Sequence, residues 1–525
     1  MVSTCFYASE SQSNFDTRVC LNQMIVNKTN ETANAVLLAT QDEFASLDSG
    51  LHKAFPVMWI LIASVLVFWM QVGFTMLEAG SVQIKNTNAI LFKNLMDASL
   101  SAICFYALGS SFASGHEGGD EYTFIGSGSW FYDSMQDPHL WFFNWTFAGT
   151  AATIVSGSLA ERCRLESYLV FTGVITTFVY PVVAHWVWSQ SGWLSAVVTV
   201  SNGEPYLRHN GFIDFAGSGV VHMVGGISGL AGSIIVGPRK GFSDPKIRKT
   251  LKGQSDVLYS LGVGILWMGW YGFNAGGVYA SDIACASENV FSCLDLAAEI
   301  MVTTTLSTSC GALTAIVVSR VFFGHYNLTH CLNGLLAGLV SITGPCPVVN
   351  PPAAMLIGAI GSLIYFSAAH LLSRIGVDDP LSAFPIHGCC GMWGVLSVGI
   401  FATRSNIRKV YGFDNNAVES GNQFRNQLIG LLAIASWSFV TSSVVFLSLR
   451  AAGILRVDQE VENTGLDVAV HGITRYQTSH AQTRPVVSVD ENLEGTDGRK
   501  QDIRLSFIQD RKLVRLHQSF AGGRD

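Results

Sequence analysis

Eleven apolar runs dominate the chain, each close to the ~20 residues a helix needs to cross ~30 Å of hydrocarbon. They cover 55–77, 88–112, 140–160, 166–189, 212–236, 257–280, 296–321, 330–349, 352–374, 381–402 and 424–450. Gly, Pro or His interrupts many of them, and none alternates every second residue. The pattern therefore predicts an all-α, polytopic membrane protein and excludes a β-barrel. Composition supports this at two points. Charged residues make up 13% of the 525, about half the usual share of a soluble protein. Gly numbers 52, which suits close helix packing in lipid. A net charge of −7 offers no basic surface for nucleic acid. The first ~50 residues carry no short apolar core with a cleavage site, so no signal peptide is expected.

An odd number of spans puts the two ends on opposite sides of the bilayer. Lys and Arg decide which is which. The loop after the fifth run holds Arg239, Lys240, Lys246, Arg248, Lys249 and Lys252; that after the third holds Arg162 and Arg164; that after the first holds Lys85. These loops share one side, expected to be cytoplasmic, although Arg404, Arg408 and Lys409 lie opposite. The N-terminus is then extracellular and the C-terminus cytoplasmic. Sequons at Asn27 and Asn30 fall on the outer side as candidate N-glycosylation sites, whereas Asn144 lies within a span and Asn327 faces inward. Residues 1–50 read as an outer tail and 51–452 as the membrane domain. Residues 453–476 read as a structured inner tail, and 477–525 as a variable, largely disordered extension in which 503–516 could form a short amphipathic helix. The eleven cysteines form no CxxC pair, so no metal site is expected. Cys285 and Cys293 share one outer loop and are a candidate disulfide.

One pattern occurs twice. Asp214-Phe215-Ala216-Gly217-Ser218-Gly219-Val220-Val221-His222 opens the fifth run, and Asp379-Pro380-Leu381-Ser382-Ala383-Phe384-Pro385-Ile386-His387 opens the tenth. Gly225 and Gly226 follow one His, Gly388 and Gly391 the other. Two blocks of five spans have opposite orientation, so this reads as a 5+5 inverted repeat plus one extra helix, with a transport site at the repeat interface near the midplane. Eight helical residues rise about 12 Å, which brings both imidazoles toward the bilayer centre from opposite sides. A neutral imidazole offers one donor and one acceptor, and its pKa near ~6.5 also permits a proton relay. Asp214 and Asp379 read as structural acids, Asp214 as a helix cap. Trp188 and the stretch Trp267–Asn274 are either an interfacial aromatic belt or a cation–π cup for a small cation.

These segments resemble the ammonium transporter (Amt/Mep/Rh) family. The resemblance rests on residues 214–226, on Gly269-Trp-Tyr-Gly-Phe-Asn-Ala-Gly276, on Phe74–Val82 with Lys85-Asn-Thr-Asn88, on Asp378-Asp-Pro380 with Ile386-His-Gly388, and on Gly465-Leu-Asp467 with His471-Gly472. It covers about residues 50–475 and is nearest to the type 1 transporters of plants and algae. It implies a homotrimer with one pore per subunit, carrying ammonium or ammonia across the plasma membrane with high affinity, electrogenically, and without a cofactor. It further implies pore histidines at His222 and His387, a phenylalanine gate at Phe147 and Phe273, and outer cation-site positions at Phe143, Trp188, Trp270 and Gly277. Where the family usually has a serine, Gly277 stands here, removing one acceptor for ammonium. Gly465 and Asp467 fall in the regulatory tail, but Ala469 replaces the phosphorylated threonine of plant members, so a kinase would have to use Thr464 or Thr474. Gas conduction of ammonia and a sensor role remain alternatives. No nucleophile–base motif argues for an enzyme.

Overall fold

The computed structural model describes residues 31–114, 122–128, 130–132, 137–196, 206–207, 209–280, 290–473, 506–509 and 512–515. Its body is all-helical. In chain order the long helices are α1 (Glu31–Ser81), α2 (Thr87–Cys104, running on to Ala113), α3 (Pro138–Leu159), α4 (Leu165–Trp188), α5 (Ser218–Val236) and α6 (Asp256–Ala280). They continue with α7 (Val290–Phe323), α8 (Leu328–Thr343), α9 (Pro351–Ile375), α10 (Phe384–Phe401) and α11 (Asn422–Ala451). Among the described residues eight are long and apolar enough to cross a membrane. Helices α3 and α6 are 22 and 25 residues long but are diluted by hydroxyl, glycine and Trp residues, and α8 has only 16 residues.

Helix ends follow local chemistry. Pro138 and Pro351 occupy first-turn positions, where a missing N–H costs nothing. Asn327, whose sequon is expected to face inward, is the α8 cap and accepts from the His330 amide at 3.0 Å. The basic residues that broke the charge rule, Arg404, Arg408 and Lys409, ride on a short helix, Arg404–Tyr411. All three pair with acids: the two arginines with Asp414, Lys409 with Glu299.

The repeat pattern has a matching geometry. Asp214 accepts from the Gly219 amide and Asp379 from the Phe384 amide, each five residues on. Three residues after each Asp the backbone is left-handed, at Gly217 (φ 104°) and Ser382 (φ 55°). Each segment then enters a wide π-helical turn, Ser218–Met223 or Phe384–Cys389, that contains its His. The two helices cross where a Cβ on Gly226 would lie 2.2 Å from the Gly388 amide nitrogen, an approach only glycine allows. The opening helices of the two blocks also pack together: a Cβ on Gly262 of α6 would lie 2.6 Å from the Gly73 carbonyl of α1.

After α11 the chain folds back along the end of the body that carries Arg162 and Arg239. Val457 donates to the Arg162 carbonyl, and the Ser167 hydroxyl to the Ile454 carbonyl. Further on, residues 506–509 and 512–515 pair as an antiparallel hairpin, Phe507 opposite Val514. This corrects the amphipathic helix expected over 503–516. Ile503, Leu505 and Phe507 alternate with period two, a strand signal that the helical reading overlooked.

Candidate functional site

The residues singled out in the sequence converge on one track through the middle of the body. His222 and His387 are 0% and 6% exposed. Their Nδ1 atoms lie 3.2 Å apart and their rings are near-parallel, with centroids 5.2 Å apart. One Nδ1 must donate and the other accept, so two neutral rings present one Nε2 acceptor and one Nε2–H donor. His222 Nε2 is buried without a protein partner.

Aromatic rings continue the track toward one end. The His222 ring stacks on Trp270 at 5.0 Å and lies 5.4 Å from Phe273. Phe273 stacks on Phe147 at 4.2 Å; Phe147 in turn meets Phe143 at 4.7 Å and Trp188 edge-on at 5.8 Å. Helix spacing explains the pairing, since Phe143 and Phe147 are one turn apart on α3, as Trp270 and Phe273 nearly are on α6. Hydrogen bonds fix the two indoles: Trp188 Nε1 donates to the Asp214 carbonyl and Trp270 Nε1 to Thr343 Oγ1, each at 2.8 Å. On the other side of the histidines, Phe74 lies 6.3 Å from His387.

Gly277 sits one turn past Phe273, where an added Cβ would lie 3.3 Å from the Phe215 ring. Phe215 is thus a neighbour that sequence reasoning missed, although it adjoins Asp214. Asp214 itself is 2% exposed and accepts from the Gly217, Gly219 and Val220 amides at 3.2, 2.8 and 2.9 Å. Asp379 accepts from the Phe384 amide at 2.8 Å and the Ser158 hydroxyl at 3.2 Å. Neither carboxylate reaches a ring nitrogen, in keeping with capping rather than proton transfer to its own His. Cys293 is disulfide-bonded; Cys285 lies outside the described residues, as do Asn27 and Asn30.

At the basic end, Arg239 pairs in a fork with both oxygens of Asp378, at 2.8 and 2.9 Å, and also with Glu161. Burial alone would raise the Asp378 carboxyl, but the Arg239 hydrogen bonds and charge, with that of Arg162, hold it below the usual carboxylate range. The tail docks beside this trio. Asp467 accepts from the Asn88 and Ala89 amides at 3.0 and 2.9 Å, capping α2 in trans. Lys85 donates to the Glu462 and Asn463 carbonyls. Gly465 turns at φ 103°, and a Cβ there would lie 2.7 Å from the Lys85 carbonyl. The trio escaped sequence reading because its acids were assigned no partner. The signal was an Arg239 that the sequence treated only as loop charge.

The chain that carries this paired-imidazole track matches a known family. A model of the Ammonium Transporter Family matches residues 58–476. The chain belongs to the ammonium transporter family. It is 38% identical to Ammonium transporter 3 of Dictyostelium discoideum over 452 residues, 83% of this chain and 98% of that protein. It is 40% identical to Ammonium transporter 1 member 1 of Oryza sativa over 410 residues, 76% of this chain and 80% of that one. Among solved structures, one titled Sensor Amt Protein superposes with a TM-score of 0.70 at 30% identity, covering 80% of the transporter and 99% of that chain. Mep2 of Candida albicans superposes at 0.64 and 26% identity, covering 77% and 86%. The transporter is accordingly a multi-pass membrane protein of a family whose named members are transporters rather than enzymes.

Proposed function

We propose that this transporter takes up ammonium across the plasma membrane with high affinity and moves net charge. The reading also takes eleven spans, an outer N-terminus, an inner C-terminus and a homotrimer. The observation that carries it is the hydrogen-bonded His222–His387 pair buried on an otherwise apolar, aromatic track. Apolar walls make a bare ion expensive and neutral ammonia cheap. Ammonium differs from K⁺ in being able to surrender its charge as a proton and cross as ammonia. The basic end with the docked tail is then cytoplasmic by the charge rule. The test is expression in cells stripped of their own ammonium uptake. Growth on micromolar ammonium with saturable uptake of labelled methylammonium is expected; growth no better than the empty host overturns the reading.

Phe143, Trp188 and Trp270 form the outer cup in this scheme, with Gly277 one turn past the gate residue Phe273 on α6. A desolvated cation–π contact is worth on the order of 2 kcal/mol, about thirtyfold in affinity. Trp188→Leu is therefore expected to raise the half-saturating ammonium concentration by roughly that factor in uptake assays. Gly277→Ser adds an acceptor, needs only a slight shift of the Phe215 ring, and is expected to lower it. An unmoved half-saturation in both variants places the cation site elsewhere.

The tail is proposed as a regulator. Gly465→Asp puts a side chain into the Lys85 backbone at a positive φ and a charge near Asp467. Undocking, read as faster proteolysis after α11 together with reduced transport, is the expected result; wild-type values of both contradict a regulatory dock. Thr464, exposed at the end of the short helix Gln459–Thr464, is one hydroxyl a kinase could reach, and Thr474 lies outside the described residues.

A further inference from the structure

Two buried charges in the body take no part in the aromatic track. Glu78, in the last turn of α1, is 1% exposed, and Lys93, in α2, is 9% exposed. They pair at 3.2 Å. The Glu78 carboxylate accepts from the Ser156 hydroxyl, at 2.6 Å to its nearer oxygen. Lys93 Nζ also donates to the Ser156 carbonyl at 3.3 Å and lies 5.0 Å from the centre of the Tyr168 ring. An ion pair within a membrane body is costly to keep there, which makes a functional role the first question to ask.

The position of the pair gives the answer its shape, because it separates two cavities. A small one of about 20 Å³, roughly the room for one water, is lined by His387, Glu78, Thr153 and Tyr259. A larger one of about 230 Å³ lies under the docked tail and is lined by Lys93, Glu161, Glu166 and His471. Glu78 lines only the first and Lys93 only the second. The pair thus faces the His387 imidazole through one member and the tail side through the other.

We propose that Glu78 and Lys93 form the inner proton exit of this transporter, apart from the path taken by ammonia. The inference rests on the electrogenic reading above. At rest Glu78 is a carboxylate and Lys93 an ammonium. A proton reaching the small cavity binds a Glu78 oxygen. Lys93 gives one N–H proton to solvent in the tail-side cavity and becomes a neutral amine. The Glu78 O–H proton then passes to that amine, and both groups return to their starting states. One proton enters, one leaves, and no other reactant is consumed. Asp97 on α2, Cys163 after α3, Tyr168 on α4, Tyr259 on α6 and His387 on α10 are titratable groups close to the pair, and Glu161, Arg164, Glu166 and His471 line the larger cavity with Lys93. Because residues 457–471 roof the larger cavity, undocking the tail would also alter this exit.

The test compares charge with cargo in the full-length protein. Ammonium-evoked current and labelled methylammonium uptake are measured in the same oocytes, with surface protein quantified by biotinylation. Lys93→Arg keeps the buried pair, but its guanidinium does not give up a proton. Glu78→Gln combined with Lys93→Met removes both charges and leaves neither orphaned. The ratio of charge to uptake is expected to fall about tenfold or more in both variants, while uptake of the neutral base persists. A wild-type ratio in both, whatever the absolute uptake, shows a merely structural pair and overturns the relay alone. If the wild-type protein itself takes up methylammonium without current, the electrogenic reading fails and the relay with it.

Discussion

Replacing His222 or His387 by Ala is expected to cut ammonium transport about tenfold to a hundredfold while the protein still reaches the membrane. The two rings form one unit: a shared Nδ1 contact at 3.2 Å orients both, and each loses its partner when the other is truncated. The lost polar contact between the two buried rings is worth about 1–3 kcal/mol, which sets the range. Neither ring supports the fold at large, since the surrounding helices are held by their own caps and by the Gly226–Gly388 crossing. His387→Ala opens onto the small cavity shared with Glu78. Its vacancy can admit water and with it K⁺, so selectivity against K⁺ is measured alongside ammonium flux. Unchanged flux and unchanged selectivity in both variants would remove the histidines from the transport path.

The second large effect is on folding. Asp214→Ala takes the acceptor away from three buried amides and loosens the loop whose carbonyl holds the Trp188 indole. Leaving such donors unsatisfied costs about 3–5 kcal/mol. The variant is expected to unfold at markedly lower temperature in detergent and to accumulate poorly. Asp214→Asn retains an acceptor and should lie between. Asp379 accepts from one backbone amide and the Ser158 hydroxyl, so Asp379→Ala should cost less. Thermal unfolding of the variants side by side checks the ranking; an Asp379→Ala protein as unstable as Asp214→Ala would contradict the capping account.

Much of this was legible in the sequence because repetition carries geometry. Asp and His eight residues apart, twice, foretold two matched helix starts. What the sequence did not reveal is that both starts are π-helical turns, since residue spacing reports a helix but not its pitch. The aromatic partners were named from a resemblance; spacing alone put Phe143 and Phe147 one turn apart but could not bring Phe273 across from another helix. Glu78, just past the first run, and Lys93, within the second, were given no partner because a charge carries no address for one. Their pairing depends on how α1 crosses α2, which no local pattern encodes. In the tail, Gly465 and Asp467 were recognisable as a motif, but their docking onto Lys85 and Asn88 spans more than 370 residues of sequence. The period-two run at 503–507 was readable and was misread.

The most direct test of the central claim is current through the purified protein in planar membranes, with equal concentration steps of ammonium and of K⁺. A current evoked by ammonium and not by K⁺, lost when His222 and His387 are both replaced by Ala, is the predicted result. An equal current with K⁺, or an ammonium current that survives loss of both imidazoles, would contradict it.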